Sequence, residues 1–394
     1  MNLVLVGDAF PPSRTSAAIQ LQDLANEIVK QGHSLTVLIP DFNIEKSYQI
    51  EVLSGTKVVR LKSPNHKTSN NYRRAINELL MPVWMYKNFR KTKLINDKWD
   101  GIIWYSPSIF LGILVNKLKR ELKCKTYLIL RDIFPQWAHD LGILSKGPAY
   151  VFFGAIANYQ YYVADKIGIQ SPGNKFFLPE KHKIKVEILN NWLAKSIPRS
   201  SAINIDNTIL ANRKIFIYAG NMGVAQGMNT IIRLAKSLNY RNDIGFLLIG
   251  KGTELENLKN SATEAKLCNI LFFDEINTNE LQDLYKRCFA GLISLDPRHK
   301  THNIPGKFIS YMQCGLPVLA NINRGNDLSD LIKREDIGEV CETADINRLK
   351  ESMLTMIERF ESDKSLSDRC KMLFEQEFSV EKIARQLISS FKLE

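Results

Sequence analysis

The residues best suited to chemistry crowd into one stretch, "DPRHKTHNIPGKFISYMQCGLPVLANI", Asp296 to Ile322. Arg298, His299, Lys300, His302 and Lys307 stand within a dozen positions there. A turn at Pro305-Gly306 leads into a short helix-like segment, which stops at Gly315-Leu316-Pro317 and gives way to an apolar strand. A loop, helix and strand in that order aim backbone N–H groups and the positive end of the helix dipole at an anion. The helix carries Lys307 and no carboxylate. A cation-rich helix start without an acid suits a nucleotide diphosphate. Hydrolysis of a glycoside would instead need two carboxylates, and the chain offers no credible pair. Lys307 and Arg298 also admit a reading as ordinary surface cations, and His302 as a hydrogen-bonded loop histidine.

A second constellation is "YAGNMGVAQG", Tyr218 to Gly227. Gly223 fits close approach of the backbone to a phosphate as well as it fits turn geometry, and Gly227 reads first as a turn glycine. A third is "LRDIFP", where Asp132 follows an apolar run. Two readings stand for Asp132, a cap on the next element or a hydrogen bond to a sugar hydroxyl. Arg131 beside it has the simpler reading of an ion pair with Asp132. Asn190 reads as a turn residue at a strand end.

These groups need elements to position them. The 394 residues suffice for two domains of ordinary size. A hydrophobic share of 45% with 24% charged residues is that of a folded soluble protein. The chain opens on the strand-like "LVLVG" without a basic n-region, so no signal peptide is expected. Six scattered cysteines without a C-x-x-C pair argue against a zinc site or a disulfide framework and suit a reducing cytoplasm. The net charge of +12 is compatible with nucleic acid, anionic lipid or phosphorylated ligands. No zinc-finger spacing, basic heptad region or RNP-like strand supports nucleic acid.

Apolar strands alternate with amphipathic helical stretches twice over. "NLVLVG", "HSLTVLIP", "GIIWYS", "TYLILRD", "KIGIQS" and "KVEILNN" are the strands of the first half. "KIFIYAG", "GFLLIGKG", "NILFFD", "GLISLD" and "PVLANI" are those of the second. This alternation predicts α/β structure with parallel sheets covered on both faces. The expected division is an amino-terminal domain over 1–192, a polar linker over 193–213 and a second domain over 214–372. A carboxyl-terminal helical segment over 373–394 is placed to pack back on the first domain. Doubly wound domains bind at the carboxyl ends of their strands, and two facing each other would enclose a cleft.

Six segments, in order, carry a family resemblance: "FPPSRTSAAIQLQDLANEIVKQGHSLTVL", "LRDIFPQWAHDLGIL", "YAGNMGVAQGMNTII", "LLIGKGTELENLK", "NILFFDEINTNELQDLYKRCFAGLISL" and "IPGKFISYMQCGLPVLA". Over nearly its whole length the chain resembles the family 4 glycosyltransferases of GT-B architecture, and within them the L-fucosamine transferases of bacterial O-antigen and capsule assembly. The resemblance implies two Rossmann-like domains facing across a cleft. It implies transfer with retention of an N-acetylated deoxyhexose from a UDP-sugar to a polyprenyl-diphosphate-linked saccharide, without a cofactor. It places Asp132, Lys307 and Arg298 at the chemistry. Donor binding falls to Gly220, Asn221, Gly223, Gln226, Gly250, Gly252, Ile276, His302, Ile304, Pro305, Gly306 and Ser310. Acceptor binding falls to Ser16, Arg131 and Asn190. The chain departs from the family in two places. His302 and Ser310 stand where the family commonly has two glutamates, and Asn221 and Gln226 where it has Arg and Lys.

Two stretches bear on an anionic membrane surface, which the lipid-linked acceptor implies as a partner at the cytoplasmic face. Asn71–Lys93 interleaves Arg and Lys with Leu, Met, Trp and Tyr, as an interfacial helix does. Gly147–Ala164 is uncharged and near the minimum for a span, but Pro148, Asn158, Gln160 and its many aromatics weaken that reading, and a buried helix is expected ahead of an interfacial one. Two rival functions remain at this level: a UDP-sugar 2-epimerase on the same architecture, and a non-catalytic protein that binds nucleotide sugars. No D-x-D follows a strand, so turnover is expected to persist in excess EDTA. Complete loss of activity, restored by Mg²⁺ or Mn²⁺, would contradict a diphosphate site built from protein cations.

Overall fold

Two sheets, each wound on both faces by helices, organise the chain. The computed structural model describes residues 1–65, 71–296, 302 and 304–392, with Asn71 and Tyr72 described by backbone alone. The chain divides into two units, Met1–Ala194 with Val380–Glu394, and Lys195–Ser379.

The first unit holds β1 (Asn2–Val6), α1 (Ser16–Lys30), β2 (Ser34–Asp41), β3 (Tyr48–Leu53), β4 (Thr56–Lys62), α2 (Asn71–Phe89), β5 (Gly101–Ser106), α3 (Leu111–Leu122), β6 (Lys125–Leu130), α4 (Gln136–Asp140), α5 (Pro148–Val163), β7 (Lys166–Ile169) and β8 (Val186–Ile188). Its strand order is β3-β4-β2-β1-β5-β6-β7-β8. Leu3 to Val6 of β1 are wholly buried, as a parallel strand covered on both faces must be. The sheet is parallel except at its edge, where β3 runs antiparallel to β4. Ser54 and Gly55 join these two strands, and both have positive φ, 48° and 81°. That two-residue turn matches the right-handed twist of a hairpin. The sequence expectation of a wholly parallel sheet missed this edge.

α1 starts at Thr15, whose hydroxyl accepts from the Ala18 N–H at 3.3 Å. It is followed by Gly32 at φ 83°. α5 differs from the sequence expectation of a buried helix. It lies at the surface, with Val151 and Phe152 exposed and only its last turns buried. Among the described residues, no helix is long and apolar enough to cross a membrane.

The second unit holds β9 (Lys214–Ala219), α6 (Asn229–Ser237), β10 (Ile244–Ile249), α7 (Leu255–Glu264), β11 (Ile270–Phe273), α8 (Thr278–Tyr285), β12 (Ala290–Ser294), α9 (Gly306–Cys314), β13 (Val318–Asn321), α10 (Asp327–Glu335), β14 (Gly338–Cys341), α11 (Ile346–Phe360) and α12 (Leu366–Leu373). Its order is β11-β10-β9-β12-β13-β14, parallel throughout. Residues 195–213 belong to this unit and bury Ile203, Ile205 and Leu210. In each sheet the winding reverses next to the first strand of the unit, between β1 and β5 and between β9 and β12. Ligands of doubly wound sheets bind outside the carboxyl ends at such points.

Helix α13 (Val380–Ser389) returns to the first unit and packs on α1. Ile383, Ala384 and Leu387 are wholly buried in the same cluster as Leu21, Leu24 and Ile28. The Phe391 ring lies where a Cβ on Gly101 would sit. Leu387→Ala is therefore expected to cost about 2–5 kcal/mol. Calorimetry should show that loss in the transition of the first unit, with the transition of the second left in place.

Candidate functional site

In the second unit the loop after β9 is pressed against the loop after β10. The Gly220 N–H donates to the Ile249 carbonyl at 2.9 Å, and the Met222 N–H to the Lys251 carbonyl at 2.8 Å. Gly250 has φ 144°, and a Cβ there would lie 2.0 Å from the Gly220 carbonyl oxygen. Gly252 has φ 155°, and its Cβ would lie 2.3 Å from the Met222 oxygen. Only glycine allows this approach at both points. Gly227, at φ 56°, ends the loop against Asp296. Within the loop, Gln226 Oε1 accepts from the Gly223 N–H at 3.0 Å and from Asn221 Nδ2 at 3.2 Å. Asn221 and Gln226 thus brace each other within the loop.

Lys307, in the first turn of α9, reaches this loop. Its Cε lies 3.6 Å from the place of a Cβ on Gly220. Its ammonium sits 4.7 Å from the centroid of the Tyr218 ring, a cation–π contact. Tyr218 in turn donates to the Asn221 carbonyl at 2.6 Å. The side chain is half-buried and closely surrounded, and desolvation pulls the ammonium down to about 8. Among the described residues no carboxylate pairs with Lys307. The cap position of α9 is Pro305, which has no side-chain donor or acceptor to close the helix end. Opposite the sheet, the Tyr311 ring packs over Gly291, and its hydroxyl reaches the carbonyls of Ile217 and Leu292 at 3.2 and 3.3 Å. That anchors α9 across the winding reversal.

Gly220, Asn221, Gly223, Gln226, Gly250, Gly252 and Lys307 therefore share one neighbourhood. The remaining donor-side residues are placed differently. His302 Nδ1 lies 3.2 Å from both the backbone N–H and the carboxylate of Asp327, at the start of α10. Ser310 Oγ donates to the Gly306 carbonyl within its own helix at 3.2 Å. Ile304 is buried and Ile276 half-buried. Arg298 lies outside the described residues.

In the first unit, Arg131 takes part in a network that reaches beyond its neighbour Asp132. Its guanidinium donates to Gln20 Oε1, to the Tyr105 hydroxyl at 2.8 Å and to Asn191 Oδ1 at 3.4 Å. Gln20 adds a bond to Asn191 at 2.6 Å, and the Trp192 indole donates to the Gln20 carbonyl at 2.9 Å. Burial pushes the Tyr105 hydroxyl up to about 12, so it stays protonated. This network ties α1, β5, β6 and the segment after β8 together, and sequence inspection did not find it. Asn190 is half-buried beside it, and Ser16 is exposed in the first turn of α1. Asp132 does not hold the cap position of α4, which is Pro135. It lines a cavity of about 360 Å³ instead. Asp8 after β1, Pro107 to Phe110 after β5, and Asp132, Phe134 and Trp137 after β6 form that cavity, with Phe153 of α5 and Arg74, Ala75 and Glu78 of α2. It stands at the winding reversal of the first sheet.

Residues 201–372 match the family described as Glycosyl transferases group 1. Over 231 residues, 57% of the chain, it is 24% identical to the probable glycosyltransferase WbjE of Pseudomonas aeruginosa, and the match spans 58% of that relative's length. Sucrose-phosphate synthase from Thermosynechococcus elongatus has a similar structure, with a TM-score of 0.74 at 13% identity over 99% of this chain and 98% of that one. HepE of Anabaena, solved with UDP and glucose, gives 0.69 at 13% identity over 99% of both chains. These likenesses make the architecture GT-B, with its two parallel-sheet α/β domains.

Gly252→Ala should lower the melting temperature by the equivalent of at least about 1–3 kcal/mol, from backbone strain together with the clash of its Cβ against the Met222 backbone. Gly306→Ala is the control, because nothing lies within 4 Å of its Cβ position and the residue is helical. It should be neutral or stabilising by up to about 1 kcal/mol.

Proposed function

We propose that the chain is a retaining glycosyltransferase of surface polysaccharide biosynthesis. It moves an N-acetylated deoxyhexose of the L-fucosamine type from a UDP-sugar to a polyprenyl-diphosphate-linked saccharide at an anionic membrane surface. The observation that carries this reading is Lys307, set against the glycine loop after β9 with no carboxylate partner among the described residues. The match of residues 201–372 to a glycosyltransferase family supports it. So does the likeness to a structure solved with UDP and glucose.

In this reading the second unit holds the donor. The diphosphate is a good leaving group, and its charge grows as the glycosidic bond to the sugar breaks. The Lys307 ammonium and the positive end of α9 stabilise that charge where it develops. The loop glycines leave the phosphates room to come close to the loop. Pairing between the Asn221 and Gln226 side chains holds the loop in shape without the family's cations. The first unit holds the acceptor, with Asp132 accepting a hydrogen bond from a sugar hydroxyl. Acceptor-dependent release of UDP separates this reaction from an epimerase, which needs no acceptor, and from a binding protein, which releases none.

Lys307→Ala should lose about 1.5–3 kcal/mol of transition-state stabilisation, or about ten- to a hundred-fold in kcat/KM. Its melting temperature should not fall. Lys307 also predicts a proton linkage. A diphosphate beside the ammonium favours the charged form and raises its pKa from about 8. UDP binding should then take up protons at about pH 8.5, and affinity should fall as pH rises further. Calorimetry in buffers of different ionisation enthalpy measures the uptake. Equal uptake by Lys307→Met and the wild type would move the diphosphate elsewhere.

A further inference from the structure

The first sheet ends on an edge strand without the usual protection. β3 pairs with β4, and among the described residues no strand lies on its outer side. The Leu53↔Thr56 pair closes the Ser54-Gly55 turn and sets the register. At the other end the Lys62 N–H donates to the Ser47 carbonyl at 3.0 Å. Along an antiparallel ladder, bonded and unbonded pairs alternate. Ser47, Gln49, Glu51 and Leu53 therefore turn their backbone groups toward β4. Tyr48, Ile50 and Val52 turn theirs outward, where an added strand would meet them.

Native sheets blunt such edges with proline, lysine, a bulge or a covering element. The strand "YQIEVL" has neither proline nor lysine, and its register to β4 runs without a bulge. Its one charge, Glu51, is held by Arg60 of β4 at 2.6 Å. Side chains two apart share a face of the sheet. Tyr48 packs against the core on one face, and Ile50 and Val52, on that same face, are 45% and 68% exposed. An outward row of donors and acceptors beside two open β-branched side chains fits one more strand.

The strand that matches is β3 itself. A two-fold axis between copies sets the two strands antiparallel. With Ile50 opposite its own copy, Tyr48 faces Val52 and Gln49 faces Glu51. Every outward residue of the strand is then matched, the aromatic and β-branched pair forms on both sides of the axis, and no like charges stand opposite each other. The neighbouring registers that keep the outward groups in phase are worse. One centres on Glu51 and sets two carboxylates face to face. The other centres on Gln49 and leaves Val52 opposite Lys46, beyond the end of the strand. In the favoured register the Ser54-Gly55 turn of one copy falls beside residues 43–47 of the other, where that segment and Lys91 line an open groove of about 850 Å³.

We propose that β3 is a self-association edge, through which two copies of the chain join their first sheets by antiparallel pairing centred on Ile50. The proposal does not rest on the transferase reading. A single strand pair is a small interface, so the association is weak and reversible, with a dissociation constant of about 1–100 µM.

Sedimentation velocity of the full chain from about 1 to 200 µM tests it, with wild type passing from monomer to dimer across that range. Ile50→Lys changes an exposed position and should weaken the dimer at least about ten-fold, because two ammoniums then meet at the axis. Ile50→Glu should do the same. An equimolar mixture of the two variants should dimerise at least about ten-fold better than either alone, since position 50 meets position 50 only across this two-fold. Ile143→Lys, at a 70% exposed isoleucine after α4, is the control and should leave the dimer intact. Hydrogen exchange over residues 47–53 should slow as the dimer forms, because the outward amides become bonded. A monomer throughout overturns the proposal and leaves the edge to an extended segment of another protein. A dimer that Ile50→Lys leaves intact overturns it in favour of another surface, and so does a mixture that associates no better than its components.

Discussion

Close contact between two backbones governs the second unit. The chain after β10 must lie against the chain after β9 closely enough that Gly250 meets the Gly220 carbonyl and Gly252 the carbonyl of Met222. Any side chain at either point would push the loops apart. With them apart, the hydrogen bonds that hold Gly220 and Met222 down would break, and the wall that Lys307 faces would no longer be fixed. Tyr311 completes the arrangement from below. It packs over Gly291 and reaches β9 and β12 through its hydroxyl, so the start of α9 is set by the sheet and not by the preceding loop.

The first unit solves the same problem with a side-chain network. Arg131 stands at the end of β6 and bonds to residues from α1, β5 and the segment after β8. A guanidinium with several fixed acceptors is a rigid joint. It keeps Arg131 out of the cavity and leaves Asp132 to line it. Neighbouring positions thus divide the work, one holding the carboxyl ends of the strands together and the next lining the cavity.

The architecture was legible because buried parallel strands read as unbroken apolar runs, as in "LVLV" and "FLLI". The β3–β4 edge was not, because its residues alternate and its turn is the small Ser54-Gly55 pair, easily taken for part of a loop. The glycines of the donor-side loops were visible as a pattern. Their physical reason, contact between two backbones about thirty residues apart in sequence, needed coordinates. The Arg131 network was invisible for a similar reason: Gln20 and Asn191 are separated by 171 positions. Asp132 was visible as a strand-end carboxylate, but Asp8 was not singled out, and only the fold places both at one cavity. In α2 the mixture of Arg, Leu and Trp was plain in sequence. Which apolar residues face inward and which face solvent was settled by packing against α3 and β4.

The return of α13 to the first unit has a consequence for biosynthesis. The apolar face of α1, with Leu21, Leu24 and Ile28, is finished by Ile383, Leu387 and Phe391. These are made only after all of the second unit. Domains fold in order of synthesis where they can, but here the earlier unit must wait. Its greasy flank stays open through the translation of more than 180 residues, Lys195 to Ser379. Until α13 is made, the first unit lacks one wall of its core, and any partner for an apolar surface competes with that helix.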